Sequence, residues 1–203
     1  MLDLFFGISI TQLGLSSIGG RVLVIPGVIA LVYLLHKCRK AKEGLPRILL
    51  LLSFVLYALV LIEILFFPVP FRMTEIVAER IAFSAIIPRS VSPVPFAILR
   101  EGFSINTLLK NWAGNMLLIV PMGYYLPALF ARFRSFLPAL RAMALLLVLV
   151  EAFQFTLTCL VIRLPYRSTD VDDFIFGLLG GLIGYGIFSL FHKTYQRNNN
   201  LHE

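Results

Sequence analysis

Glu151 and Gln154 stand three residues apart inside an apolar stretch, and Asp170, Asp172 and Asp173 follow after a short connection that also carries Arg163 and Arg167. That spacing puts Glu151 and Gln154 on one face of a helix. A carboxyl held away from water can serve as a general acid or base. It can equally be a helix-packing hydrogen bond or a buried ion pair, because polar groups in membrane helices are commonly satisfied by neighbours. For Asp170 and Asp173 the chemistry is acid/base work or ligation of a divalent cation through oxygen, and anchoring Arg167 is a further role. The plainer reading is capping, since acids suit the free N–H groups and positive dipole end of a following helix. Arg167 offers a planar fork for a phosphate or carboxylate, or pairs with an aspartate. Asn115 and Glu63 are the remaining polar residues of the apolar stretches; Glu63 has no motif around it and reads as a packing or gating partner.

Other chemistries leave no trace. There is no phosphate-binding loop, nucleophile elbow or Cys/His metal cluster. His36, His192 and His202 fall away from the polar set, the Asp-x-Asp-Asp spacing names no metal, and no cofactor is indicated.

The elements that must position these residues are membrane helices. Hydrophobic residues make up 59% of the chain and charged ones 14%, with a mean hydropathy of +0.88, whereas soluble domains run at about 25% charged. Apolar runs at Arg47–Phe67, Asn111–Phe130, Leu137–Leu160 and Asp173–Phe191 are long enough to cross a bilayer, and Ile18–Leu35 makes another if Arg21 snorkels. The expectation is an all-α integral membrane protein, a bundle of about five transmembrane helices. Residues 1–17 read as an interfacial or re-entrant segment and 18–46 as the first span with a basic loop. Residues 47–191 hold four spans and a long loop over 68–110, and 192–203 form a tail.

Basic residues are retained on the cytoplasmic side. Lys37, Arg39, Lys40, Lys42 and Arg47 fill the first loop, Arg132 and Arg134 the third, and Lys193 and Arg197 the tail. Alternation then places the N-terminus outside, the C-terminus inside and the aspartate loop outside. The net charge of +7 is explained by these flanks resting on anionic headgroups, and no nucleic-acid partner is expected. Cys38 and Cys159 fall on opposite sides, too far apart for a disulfide.

Finer features follow from residue type. Met73–Ile87 reads as an amphipathic helix stopped by Pro88, with Pro93 and Pro95 barring regular structure beyond it. Ser104 or Asn106 caps the helix entering the third span. Trp112 marks a membrane interface. Pro121 with Gly123 loosens that span. Gly177 with Gly181 and Gly180 with Gly184 form interleaved small-residue steps that admit another helix or a second copy of the chain. An acid at the centre of a span costs about 2.5–3.5 kcal/mol, so Glu151 must face polar company.

The string Asn115 through Pro121 to Gly123, then Glu151-Ala-Phe-Gln154, then Arg167-Ser-Thr-Asp170-Val-Asp172-Asp173, then Gly180-Gly181-Leu-Ile-Gly184-Tyr185, resembles the VanZ-like family of bacterial membrane proteins. The upstream Pro95-Phe96 pair agrees with a weaker part of the pattern, and the resemblance covers roughly Arg47 to Phe191. Gly177 departs from it, standing where the family usually has Asn. The resemblance implies a protein of the bacterial cytoplasmic membrane associated with resistance to the glycopeptide teicoplanin. The partners it implies are membrane lipids with a lipid-bearing glycopeptide or lipid-linked envelope precursor. On the combined reading Glu151, Asp170 and Asp173 are the candidate catalytic residues, and Asn115, Gln154 and Arg167 the candidate ligand-binding ones. Binding without chemistry and catalysis on a lipid headgroup both remain open at this point.

Overall fold

The computed structural model describes residues 17–18, 23–67, 69–70, 83–96, 99, 105–163 and 167–200. In chain order these are β1 (Ser17–Ile18), α1 (Val24–Lys40), α2 (Leu45–Phe66), β2 (Val69–Pro70), α3 (Phe83–Ser90) and β3 (Val91–Ser92). Next come α4 (Ile105–Leu129), a 3-10 turn at Ala131–Arg134, and α5 (Phe136–Phe155), which widens into π-helical turns over Thr156–Ile162. β4 (Thr169–Asp170) and α6 (Val171–Asn200) complete the order.

Among the described residues, Leu45–Phe66, Phe136–Ile162 and Val171–Thr194 are long and apolar enough to cross a membrane. The chain is an all-α membrane protein. Of the two other expected spans, α1 has 17 residues, at the short limit for a bilayer. Helix α4 has ample length at 25 residues, but Lys110, Asn111 and Asn115 dilute its apolar character. The expected start at Ile18 moves to Val24, because Ile18 is in β1 and pairs antiparallel with Val69 of β2. Pro26 therefore falls in the first turn of α1, where its missing N–H has no helical partner to lose. Residues 1–16, Arg21, Ser104 and most of the expected 73–87 helix lie outside the described residues, and Asn106 sits within α4. Pro88 does not stop α3, which runs on to Ser90, since a proline near the end of a short helix forfeits only one backbone bond.

The chain divides into two compact units, one drawn from the residues through Ser92 with Ala152–Thr169, the other from Pro93–Glu151 with Asp170–Glu203. In the first, α1 and α2 form a helical hairpin. Lys42 takes the left-handed conformation with φ of 53°. The amide of Glu43 then reaches Cys38 O and that of Lys42 reaches Arg39 O, which closes the end of α1. Lys37, Arg39 and Lys40 lie in that last turn, where cations suit the negative dipole end. Gly27 is buried against Leu59 of α2. Helix α2 leaves Leu49, Leu56 and Val60 exposed, as a lipid-facing helix does. The two cysteines are free thiols.

The second unit is held by α6, whose glycines serve two neighbours. A Cβ at Gly180 would meet Met116 O at 2.0 Å, and one at Gly184 would meet Val120 O at 1.9 Å, so this pair lies on the backbone of α4. Gly123 of α4 answers from the other side, with Gly181 O at 2.0 Å from its Cβ position. Close approach is what this glycine provides. Gly177 and Gly181 instead meet the ends of the Leu147 and Met143 side chains of α5. One step thus lies on α4 and the other, which also meets Ile119, lies between α4 and α5, and small residues let backbones approach where no hydrophobic effect drives association. Leu at Gly180 has only backbone to push against and should cost about 3 kcal/mol or more. Leu at Ile183, 47% exposed on the same helix, should change stability by no more than about 0.5 kcal/mol. Thermal unfolding in detergent checks the contrast, and equal midpoints would mean that α6 does not pack through this face.

Candidate functional site

Helix α6 begins at an acidic end, and each of its acids has a different task. Asp170 precedes the helix, and its Oδ1 accepts the amide of Asp172 at 2.9 Å, which is an N-cap. Asp172 is 1% exposed and accepts the backbone N–H of Phe96 at 2.8 Å on Oδ1. Asp173 accepts the side-chain amide of Asn115, and Asn111, one turn earlier on the same face of α4, also donates to it. Glu151 brings α5 into the group: its carboxyl lies near the backbone amide of Asp170 and the carboxyls of Asp173 and Asp170. Its Oε2 is buried with no hydrogen-bond partner among the described residues. Asp173 is therefore the common neighbour of Asn115 and Glu151, and helices α4, α5 and α6 each contribute to one acceptor-rich cluster.

Sequence reasoning put Asp172 among the acids of the loop but not in the site, and it passed over Asn111. Both are built into the cluster. The signals were the doubled aspartate and the i, i+4 repeat of asparagines, which only packing could rank above their neighbours. Phe96 has φ of 57°, a left-handed conformation that a bulky residue adopts at a cost of about 1–3 kcal/mol. The charge-assisted bond from its amide to Asp172 offsets that cost. Its ring stands edge-on to Trp112 and Phe176, at centroid distances of 6.0 and 6.4 Å, while those two stack on each other at 4.8 Å. Trp112 belongs to this aromatic group, and its Nε1 is buried without a partner among the described residues.

Gln154 and Arg167 belong to the first unit. Gln154 is 7% exposed and donates its side-chain amide to Leu65 O at 3.0 Å. Arg167 Nη2 donates to Ile64 O at 3.0 Å and to Phe67 O at 2.7 Å. Both donors thus serve the last carbonyls of α2, which no helical N–H can reach. Phe66 and Phe153 seal the same end edge-to-face at 4.9 Å. Glu63 is exposed, and its backbone carbonyl accepts the amide of Phe67. Among the described residues no group of His, Cys, Asp and Glu is arranged to hold a metal ion.

No curated protein and no solved structure matches the chain. A family model described as VanZ/LLP1 matches residues 54–192. The match covers more than half of the chain and takes in every residue of the cluster, from the Phe96 turn and the asparagines of α4 to Glu151 and the acids that open α6. With that extent, the chain belongs to the VanZ/LLP1 family.

Proposed function

We propose that this protein binds a lipid-bearing ligand at the outer leaflet of the bacterial cytoplasmic membrane, through the cluster of Glu151, Asp173, Asp170 and Asn115, and so lowers susceptibility to a glycopeptide of the teicoplanin type. The single observation that carries the reading is the buried, unpartnered Oε2 of Glu151. A buried acceptor without a donor is costly, about 1–3 kcal/mol and more for a charged group, so the arrangement suits a site that a ligand completes. The side chains nearest it are the carboxyls of Asp173 and Asp170, so the complementary ligand presents donors, an amine, amide or hydroxyl. Arg167 and Gln154 act in this reading by fixing the end of α2.

A second reading, an enzyme acting on a lipid-linked or phospholipid headgroup, draws on the electrostatic contact between Glu151 and Asp173. Neighbouring carboxyls can divide acid and base roles between them. The two readings separate on one variant. Glu151→Gln keeps the shape and removes the acid. Under the binding reading it retains affinity for a teicoplanin-type lipoglycopeptide within about tenfold, since an amide still offers an acceptor. Under the enzymatic reading affinity persists but turnover and the resistance phenotype disappear. A properly folded Glu151→Ala variant with unchanged affinity and unchanged susceptibility would remove the site from both readings.

The orientation is part of the proposal and has its own check. A cysteine at Ser168 should react with an impermeant thiol reagent in intact cells, and one at Lys42 should react only after permeabilisation. The opposite pattern would invert the topology and move the cluster to the inner leaflet.

A further inference from the structure

Among the described residues the second unit keeps its acids at one end. Between Glu101 and Glu151 the sequence has no acid, and after Asp173 none occurs before Glu203. Arg132, Arg134 and Arg141 therefore gather around the α4–α5 turn with no acid nearby in sequence. Glu151 lies about 15 Å along α5 from Arg141, and Asp173 about 18 Å along α6 from Tyr185, at 1.5 Å per residue. All three arginines are exposed.

This turn is fixed in place. The Tyr185 hydroxyl of α6 donates to Arg134 O at 2.7 Å, and its ring meets Phe136 at 5.8 Å. The amide of Phe133 closes on Phe130 O, and that of Ala139 on Ser135 O. The Arg132 guanidinium stands 6.0 Å from the Phe133 ring centroid. Beside the arginines Phe130, Phe136 and Leu137 are each at least half exposed.

We propose that this turn is a binding site for an anionic phospholipid, with Arg132, Arg134 and Arg141 on the phosphate-bearing headgroup and Phe130, Phe136 and Leu137 along the upper acyl chains. Guanidinium forks match phosphate oxygens in pairs, and the fixed turn lowers the ordering cost of binding. Apolar residues exposed next to the arginines favour a lipid over a soluble anion or an acidic protein surface. The site is separate from the acidic cluster and independent of the function proposed for it.

The test uses the full chain in detergent, mixed with equal amounts of phosphatidylglycerol and phosphatidylcholine and read by native mass spectrometry for retained lipid. Phosphatidylglycerol should be retained in preference. Replacing the arginines by Gln should weaken retention roughly fivefold per arginine. Tyr185→Phe removes the hydroxyl that fixes the turn, leaves every charge, and should weaken it by about fivefold. A triple Gln variant of Lys37, Lys40 and Lys42 in the first loop should keep the bound lipid. Equal retention of the two lipids would overturn the proposal, as would equal loss in the first-loop variant. If inorganic phosphate at millimolar concentration displaces the lipid fully, the turn is a simple anion site and the lipid assignment fails. Tyr185→Phe carries the test if the arginine variant does not fold, and unchanged retention there would reduce the turn to unspecific surface charge.

Discussion

Hydrocarbon offers no partner to a polar group, and the ends of helices are where a membrane chain is most exposed to that shortage. In the first unit the last carbonyls of α2 are met by Gln154 and Arg167, donors that come from far along the sequence. In the second, the amide of Asp172 in the first turn of α6 is met by Asp170, and a buried acid of the same turn takes up the amide of the strained Phe96. Most of the polar residues in and beside the apolar stretches are committed in this way, so their presence alone is weak evidence for chemistry. Glu151 and Asp172 each keep one oxygen buried and unpartnered among the described residues, and of the two only Asp172 spends its other oxygen on holding a turn.

Close helix approach is the second consequence of the same solvent. Apolar side chains gain nothing by leaving lipid for protein, so association depends on backbone proximity and polar contacts. Gly123, Gly180 and Gly184 bring α4 and α6 so near that a methyl group would sit within 2.0 Å of a carbonyl oxygen. That proximity aligns Asn111 and Asn115 of α4 with Asp173 at the start of α6. The glycines and the site are thus parts of one construction: the helices that touch at their glycines are the ones that share the carboxyl cluster. Gly177 sits one turn beyond Asp173, against the end of the Leu147 side chain. A Cβ there would meet side chains, those of Leu147 and Ile119, and no backbone.

Composition and apolar patterning were enough for the class and most helix positions. Leu137–Leu160 and Asp173–Phe191 fall within the observed helical stretches, and Arg47–Phe67 coincides with α2 apart from its last residue. These are legible because length and continuous apolarity are local properties that lipid reads directly. The small-residue steps of α6 were legible as packing surfaces for a related reason, their spacing being set by the helical repeat. Which helix each step faces, which donor each carbonyl receives, and which carboxyl is left unpartnered were decided by tertiary structure. Gln154 and Glu151 share a helix and differ by one turn, yet one is spent on Leu65 O and the other lies among carboxyls. Asp170, Asp172 and Asp173 are nearly indistinguishable as a string, but they become a helix cap, a clasp for the Phe96 turn and a partner for two asparagines. Spacing fixes the face on which a side chain emerges; what meets it there depends on residues tens of positions away, brought close only when the helices pack.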